Sequence, residues 1–366
     1  MLSPFTVDIP AADLDELRDR LRRTRPPAAL TAPEWSAGVP ATELARLVRY
    51  WADDFDWRSR ETWINTFPQF TTPIGDGDVH FAWLRGERPG ALPLVLTHGW
   101  PSSFVELLAL GDRLANPSRY GRSPADSFDV VVPSLPGFGF SAPRQGWPAE
   151  PATHDLWHAL MHDVLGYSRY GAHGGDLGAG VSTRLAAAHP SAVAGLHVLA
   201  AVFPPEVPDP SPAERAYLDE VAAWQAAEGG YQHEQQTRPL TLAYGLSDSP
   251  AGLLAWIYEK YRVWSQSPTA FSDDDVLTQA SLYWFTNTIA TSFRPYHEYR
   301  PSWQRVEVPT AIAVFPHDLT RPPRDWVERT YRLTRYTPMP RGGHFAAHEE
   351  PGLLADDITA FFRDLR

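Results

Sequence analysis

The chain of 366 residues contains no cysteine. That excludes disulfide staples, thiolate metal sites and cysteine nucleophiles, and it fits a reducing compartment, so a cytoplasmic setting is expected. No stretch approaches the roughly 18 apolar residues of a membrane span. The first residues, MLSPFTVDIPAADLDEL, lack a basic segment followed by an apolar run, so no signal peptide is expected either. Basic residues are too few and too dispersed for a nucleic-acid surface: 32 Lys and Arg stand against 44 Asp and Glu, with no Lys/Arg-rich run. Internal repeats and low-complexity tracts are also missing. What is present is globular, with 43% hydrophobic residues, enough for the core of one large domain or two ordinary ones.

Periodicity divides the chain. Leu14, Leu17 and Leu21 fall at helical spacing and predict a helix over 11–23, closed by Arg25-Pro26-Pro27. A second helix is predicted around 42–52, through Leu44, Leu47, Val48 and Trp51. FPQFTTPIGDGDVHFAWL then reads as a hairpin turning at Gly75-Asp76-Gly77-Asp78. Beyond it, LPLVLTH (92–98), FDVVVPSL (128–135), AVAGLHVLA (192–200) and VPTAIAVF (308–315) are short β-branched runs separated by helical stretches. This is the pattern of a doubly wound α/β core with a mostly parallel sheet. Between 200 and 300 the strand signal gives way to helical patterns, including PAGLLAWIYEKYRVW (250–264) and DVLTQASLYWFTNTIA (275–290). A helical insertion there would lie as a cap over the strand C-termini.

The chemistry centres on GAHGGDLGAGVSTRL, where Gly174 and Gly178 flank Asp176 as G-x-S-x-G flanks a catalytic serine. Taken alone, the stretch reads as a glycine-rich loop whose Asp caps a helix. Its position says more. THGWPSS (97–103) precedes it directly after a strand, where an α/β-hydrolase fold places an oxyanion-hole loop. The expected donors are the backbone amides of Trp100 and Leu177. FPHDLTRPP sets Asp318 just beyond a strand, and RGGHFAAHEEP sets His344 on a glycine-rich loop before a final helix. Nucleophile, acid, histidine is the chain order of that fold. No G-x-S-x-G occurs, which disfavours a serine hydrolase. An Asp nucleophile forms an alkyl ester at saturated carbon, the chemistry for epoxides or haloalkanes.

HGWP, GGDxG, PGFGFS (136–141) and RGGHFAA together resemble the epoxide hydrolase family of microsomal type, including its soluble bacterial members. The resemblance spans almost the whole length and implies an α/β-hydrolase fold in three parts. These are an N-terminal extension over 1–66, a core over 67–200 and 301–366, and a helical cap over 201–300. It also implies Asp176 as nucleophile, His344 as general base, Asp318 as its carboxylate partner, and two cap tyrosines, Tyr231 and Tyr296, as proton donors to the epoxide oxygen. Tyr299 and Tyr244 are nearby alternatives. Trp100 and Leu177 are expected to contact substrate, and Leu177 stands where the family commonly carries Trp. A vicinal diol would be the product and no cofactor is needed. The partner is a small-molecule epoxide, not nucleic acid or membrane, and the N-terminal segment could support a homodimer.

Three other readings compete with this one. A haloalkane dehalogenase needs halide-holding side chains, yet Leu177 and Trp100 occupy those places. A non-catalytic binding protein on this fold would lack one of Asp176, Asp318 and His344, all of which are present. His154, His158 and His162 share one helix face at metal-ligand spacing, but Leu156, Leu160 and Val164 mark an ordinary amphipathic helix, so no metal is assigned.

Overall fold

In the computed structural model, residues 1–366 are described except 29, 147–149, 205 and 301–302. The apolar runs become neighbouring strands of one nine-stranded sheet, ordered β1-β2-β3-β5-β4-β6-β7-β8-β9. The first three, β1 (Ser3–Phe5), β2 (Gln69–Ile74) and β3 (Gly77–Leu84), are antiparallel; between β1 and β2 the chain forms α1 (Ala11–Arg22), α2 (Ala41–Asp53) and α3 (Trp57–Ile64). The parallel core follows as β4 (Leu92–Thr97), α4 (Leu108–Ala115), β5 (Phe128–Pro133), α5 (Thr153–His158), β6 (Tyr170–Gly174), α6 (Leu177–Ala188) and β7 (Val193–Val198). It resumes with β8 (Val306–Val314), α14 (Arg324–Thr330), β9 (Tyr331–Pro338), α15 (Ala346–Glu349) and α16 (Pro351–Phe362). Every residue of β5 and β7 is buried, as expected of strands covered on both faces.

Between β7 and β8 the described residues form seven helices: α7 (Pro212–Glu228), α8 (Gly230–Thr237), α9 (Pro239–Asp248), α10 (Pro250–Trp264), α11 (Asp273–Thr286), α12 (Ile289–Ser292) and α13 (Arg294–His297). Ser211 and Ser272 start α7 and α11 with capping boxes. The helical run predicted over 275–290 is broken, because Asn287 adopts a left-handed conformation (φ 51°) and ends α11 at Thr286. The N-terminal helices grip this insertion. Arg46 pairs with Asp273 (2.6 Å), Arg60 with Asp275 (2.8 Å), and the Trp51 indole donates to Ser281 Oγ (3.0 Å). The core boundary expected at 301 falls on residues outside the described set.

Two strands carried no apolar signal. β1 is three residues long, and β9 (YRLTRYTP) is an edge strand whose Arg335 turns to the buried Asp357. Of the three histidines of the helix after β5, His158 and His162 stack with ring centroids 5.0 Å apart. His158 bonds the Tyr170 hydroxyl (2.8 Å) and stacks on His189, His162 meets Asp163 (2.8 Å), and His154 lies 3.8 Å from Asp155. α5 widens into a π-helical turn over Ala159–Val164. Among the described residues no helix is long and apolar enough to cross a membrane.

The strand order decides where a site can form. The chain leaves β4 toward β5 on one side and leaves β6 toward β7 on the other, so the loops after β4 and β6 diverge and open a crevice. Those loops carry HGWP and GGDLG.

Candidate active site

Asp176 sits between β6 and α6 with φ 49° and ψ −128°, a conformation that non-glycine residues rarely hold. Its glycine neighbours make the turn possible. A Cβ on Gly178 would lie 2.0 Å from Thr97 O, and one on Gly174 would lie 2.2 Å from Gly178 O. The Asp does not cap α6 with its side chain, so the simple capping reading fails. Because backbone cannot yield as a flexible side chain can, Gly178→Ala is expected to destabilise the protein by roughly 3 kcal/mol, seen as a clearly lowered Tm. An unchanged melt would contradict this packing.

The Asp176 carboxyl is aimed at the HGWP loop. The Trp100 amide donates to its Oδ1 at 2.8 Å. Burial opposes its ionisation, but the His344 hydrogen bond and charge, with the Trp100 and Leu177 amides, hold it below the ordinary carboxylate range. The loop itself is pinned from two sides. His98, kept neutral by burial with its pKa near 4, bonds Gly99 O through Nδ1 (3.0 Å) and accepts the Leu135 amide at Nε2 (3.1 Å). From the insertion, Tyr283 donates to Ser102 O (3.0 Å), Tyr261 to Pro101 O (3.3 Å), and Ser103 to Gln279 (2.7 Å).

His344 completes a line. Its Nδ1 is 2.7 Å from Asp318 Oδ1 and its Nε2 is 3.5 Å from Asp176 Oδ2. Its amide donates to Trp264 O (3.0 Å), which fixes the loop after β9 to the end of α10. Burial alone would depress the imidazole, yet the Asp318 charge and its bonds to Asp176 and Asp318 raise it to about 10. The imidazole is thus held toward its charged form between the two carboxyl groups.

Above Asp176 lies a cavity of about 400 Å³, walled by Asp176, Leu177, Tyr231, Tyr296, Asp318 and His344. The Tyr231 and Tyr296 rings are 6.2 Å apart, nearly perpendicular. Tyr296 Oη is buried and makes no hydrogen bond of ordinary geometry. Burial first, and the Asp176 charge next, push both phenols up, so both stay protonated. Phe203, Val221, Trp224 and Leu319 supply apolar wall, and Gln225, Gln232 and Gln236 supply polar wall. Of the alternative tyrosines, Tyr299 reaches this cavity but is 49% exposed, and Tyr244 is 77% exposed and lies off it.

The Trp100 side chain is fully buried and stacks on Tyr231 at 5.2 Å without lining the cavity of about 400 Å³, while its amide faces Asp176. Sequence reasoning passed over Glu106. This carboxyl is pushed up to about 7 by burial and lines a space of about 30 Å³ shared with Asp176, His344 and His173. Its one sequence signal was closeness to HGWP.

Comparison with known proteins gives the family and the fold. Residues 2–107 match the family described as epoxide hydrolase N terminus, and residues 93–249 match the alpha/beta hydrolase fold. A Stigmatella aurantiaca protein designated an epoxide hydrolase is 42% identical, over all of this chain and 86% of its own length. Epoxide hydrolase 1 of Oryctolagus cuniculus is 32% identical, over 98% of this chain and 88% of its own length. The solved structure of Aspergillus niger epoxide hydrolase superposes with a TM-score of 0.89 at 34% identity, covering 100% of this chain and 97% of that one. Fold, length and sequence thus agree, and the chain belongs to the epoxide hydrolase family.

Proposed function

We propose that this enzyme opens an epoxide to a vicinal diol through an ester on Asp176. The observation that carries the reading is the position of the Asp176 carboxyl. It lies between the Trp100 amide and the His344 imidazole and faces a cavity bounded by two protonated phenols. In the first step Asp176 Oδ bonds an oxirane carbon, the ring C–O bond breaks, and its electron pair takes a proton from Tyr231 or Tyr296. Ester formation removes the Asp176 charge, one of the groups that raises His344. The imidazolium then gives up its proton, which restores the phenol, and becomes a base. Neutral His344, oriented by Asp318, takes a proton from water as the oxygen adds to the ester carbonyl carbon. The amides of Trp100 and Leu177 hold the oxyanion. Collapse breaks the acyl C–O bond, and the hydroxyl proton left on Asp176 passes to the departing alkoxide. The cycle closes with Asp176 ionised, His344 charged and both tyrosines protonated.

Apolar and glutamine-lined walls suit an epoxide with an apolar body and a hydrogen-bonding tail. Single turnover with excess enzyme in ¹⁸O-water tests the ester. The first diol is expected to be unlabelled, with label in the Asp176 carboxyl. Label passing directly into that diol would sink the covalent step.

A further inference from the structure

The chain has one lysine among its 32 basic residues, Lys260, and folding buries it to 5% exposure. It lies on α10 with Nζ 4.8 Å from the centroid of the Tyr231 ring and 5.6 Å from that of Trp264. Among the described residues it is the cation over that phenol ring. Two acidic groups face the ammonium: Glu259 at 2.5 Å, and Glu228, whose carboxyl burial pushes up and the lysine charge pulls down. On the phenol oxygen, burial acts first, then the Asp176 charge; the Tyr296 hydroxyl opposes them and the Glu228 charge adds a little.

This placement has a cost. An ammonium is strongly hydrated, and taking it into an aromatic cluster is unfavourable unless something there holds the charge. Every other basic residue in the chain is arginine, so the compact charge has been used only here. A ring face attracts a cation, and the attraction grows as the ring takes on phenolate charge. Tyr231 would gain such charge at one moment. While Asp176 bonds the oxirane carbon, its negative charge passes to the ring oxygen and, as the proton moves, to the phenol. Resting on the mechanism above, we propose that Lys260 tunes Tyr231, its buried ammonium stabilising the phenolate that forms as the phenol protonates the opening epoxide. Lys260 is a positioning residue in this scheme, acting on substrate only through Tyr231.

The test separates the two half-reactions by stopped flow with excess enzyme, from pH 6 to 10, following tryptophan fluorescence. Lys260→Met is expected to slow alkylation about tenfold. It should leave ester hydrolysis unchanged. Lys260→Arg should recover most of the loss. In a Tyr231→Phe background, Lys260→Met should add less than about twofold. If Tyr231→Phe slows alkylation and Lys260→Met does not, the role of Lys260 falls while the acid role of Tyr231 stands. If Tyr231→Phe leaves alkylation unchanged, the acid role fails and this proposal fails with it. Should Lys260→Met not fold, the wild-type enzyme still decides. ¹⁵N-lysine labelling gives a single Nζ resonance, and at pH 7–8 its shift must be that of an ammonium. A neutral amine there overturns the proposal.

Discussion

Asp176→Asn is expected to lower kcat for an aryl epoxide by on the order of 10⁴-fold or more. The amide keeps the shape of the carboxyl and can still accept the Trp100 amide through its oxygen, so what disappears is the attacking charge. Folding should survive, because Asn, like Asp, tolerates the positive φ of this turn better than most residues. The substitution has a second consequence next door. His344 is raised to about 10 partly by Asp176, so its imidazole should titrate lower in the variant. Diol formation by chiral chromatography and the imidazole titration by NMR give the two readouts. A folded Asp176→Asn enzyme retaining more than about a tenth of wild-type activity would contradict nucleophilic catalysis by this residue.

His344→Gln is expected to stop the cycle halfway. Alkylation needs Asp176 and a phenol, both intact, whereas hydrolysis needs a base for water. Multiple turnover should fall by about 10³-fold while the first step proceeds. Intact-mass analysis after mixing with epoxide should show one added substrate mass, located by peptide mapping at Asp176. The variant leaves Asp318 without its imidazole partner at 2.7 Å, so a loss of about 1–3 kcal/mol in stability accompanies it. A folded variant that forms no adduct, or one that still releases diol near the wild-type rate, would remove His344 from its assigned step.

The architecture around these residues explains why they meet at all. Asp176, Asp318 and His344 are separated by up to 168 positions, yet each follows the C-terminal end of a parallel strand, β6, β8 and β9. The strands β4, β6, β7 and β8 were legible as apolar runs or by their glycine neighbours. β9 was not, because an edge strand interrupted by Arg332, Thr334 and Arg335 has no continuous apolar signal. His344 was still found, since Gly342 and Gly343 mark the loop: a Cβ on Gly342 would lie 2.5 Å from the Phe315 ring.

Other features were not visible in one dimension. The HGWP motif does not show that the tyrosines of α8 and α13 cover Trp100. The grip of α2 and α3 on α11 joins positions more than 200 residues apart, through single arginines that no local pattern distinguishes. Lys260 reads as one charge on an amphipathic helix, and only the packing of α8 against α10 sets a phenol ring beneath it.

The sequence by itself determined the fold class, the elbow and the order of its partners. Strand burial, glycine-permitted turns and helix starts are local consequences of residue type and spacing. Tertiary structure alone decided the protonation pattern of the site, the covering of Trp100 and the cation beneath Tyr231. These depend on burial and on charges brought within a few ångströms from distant parts of the chain, and both are set by packing rather than by neighbours in sequence.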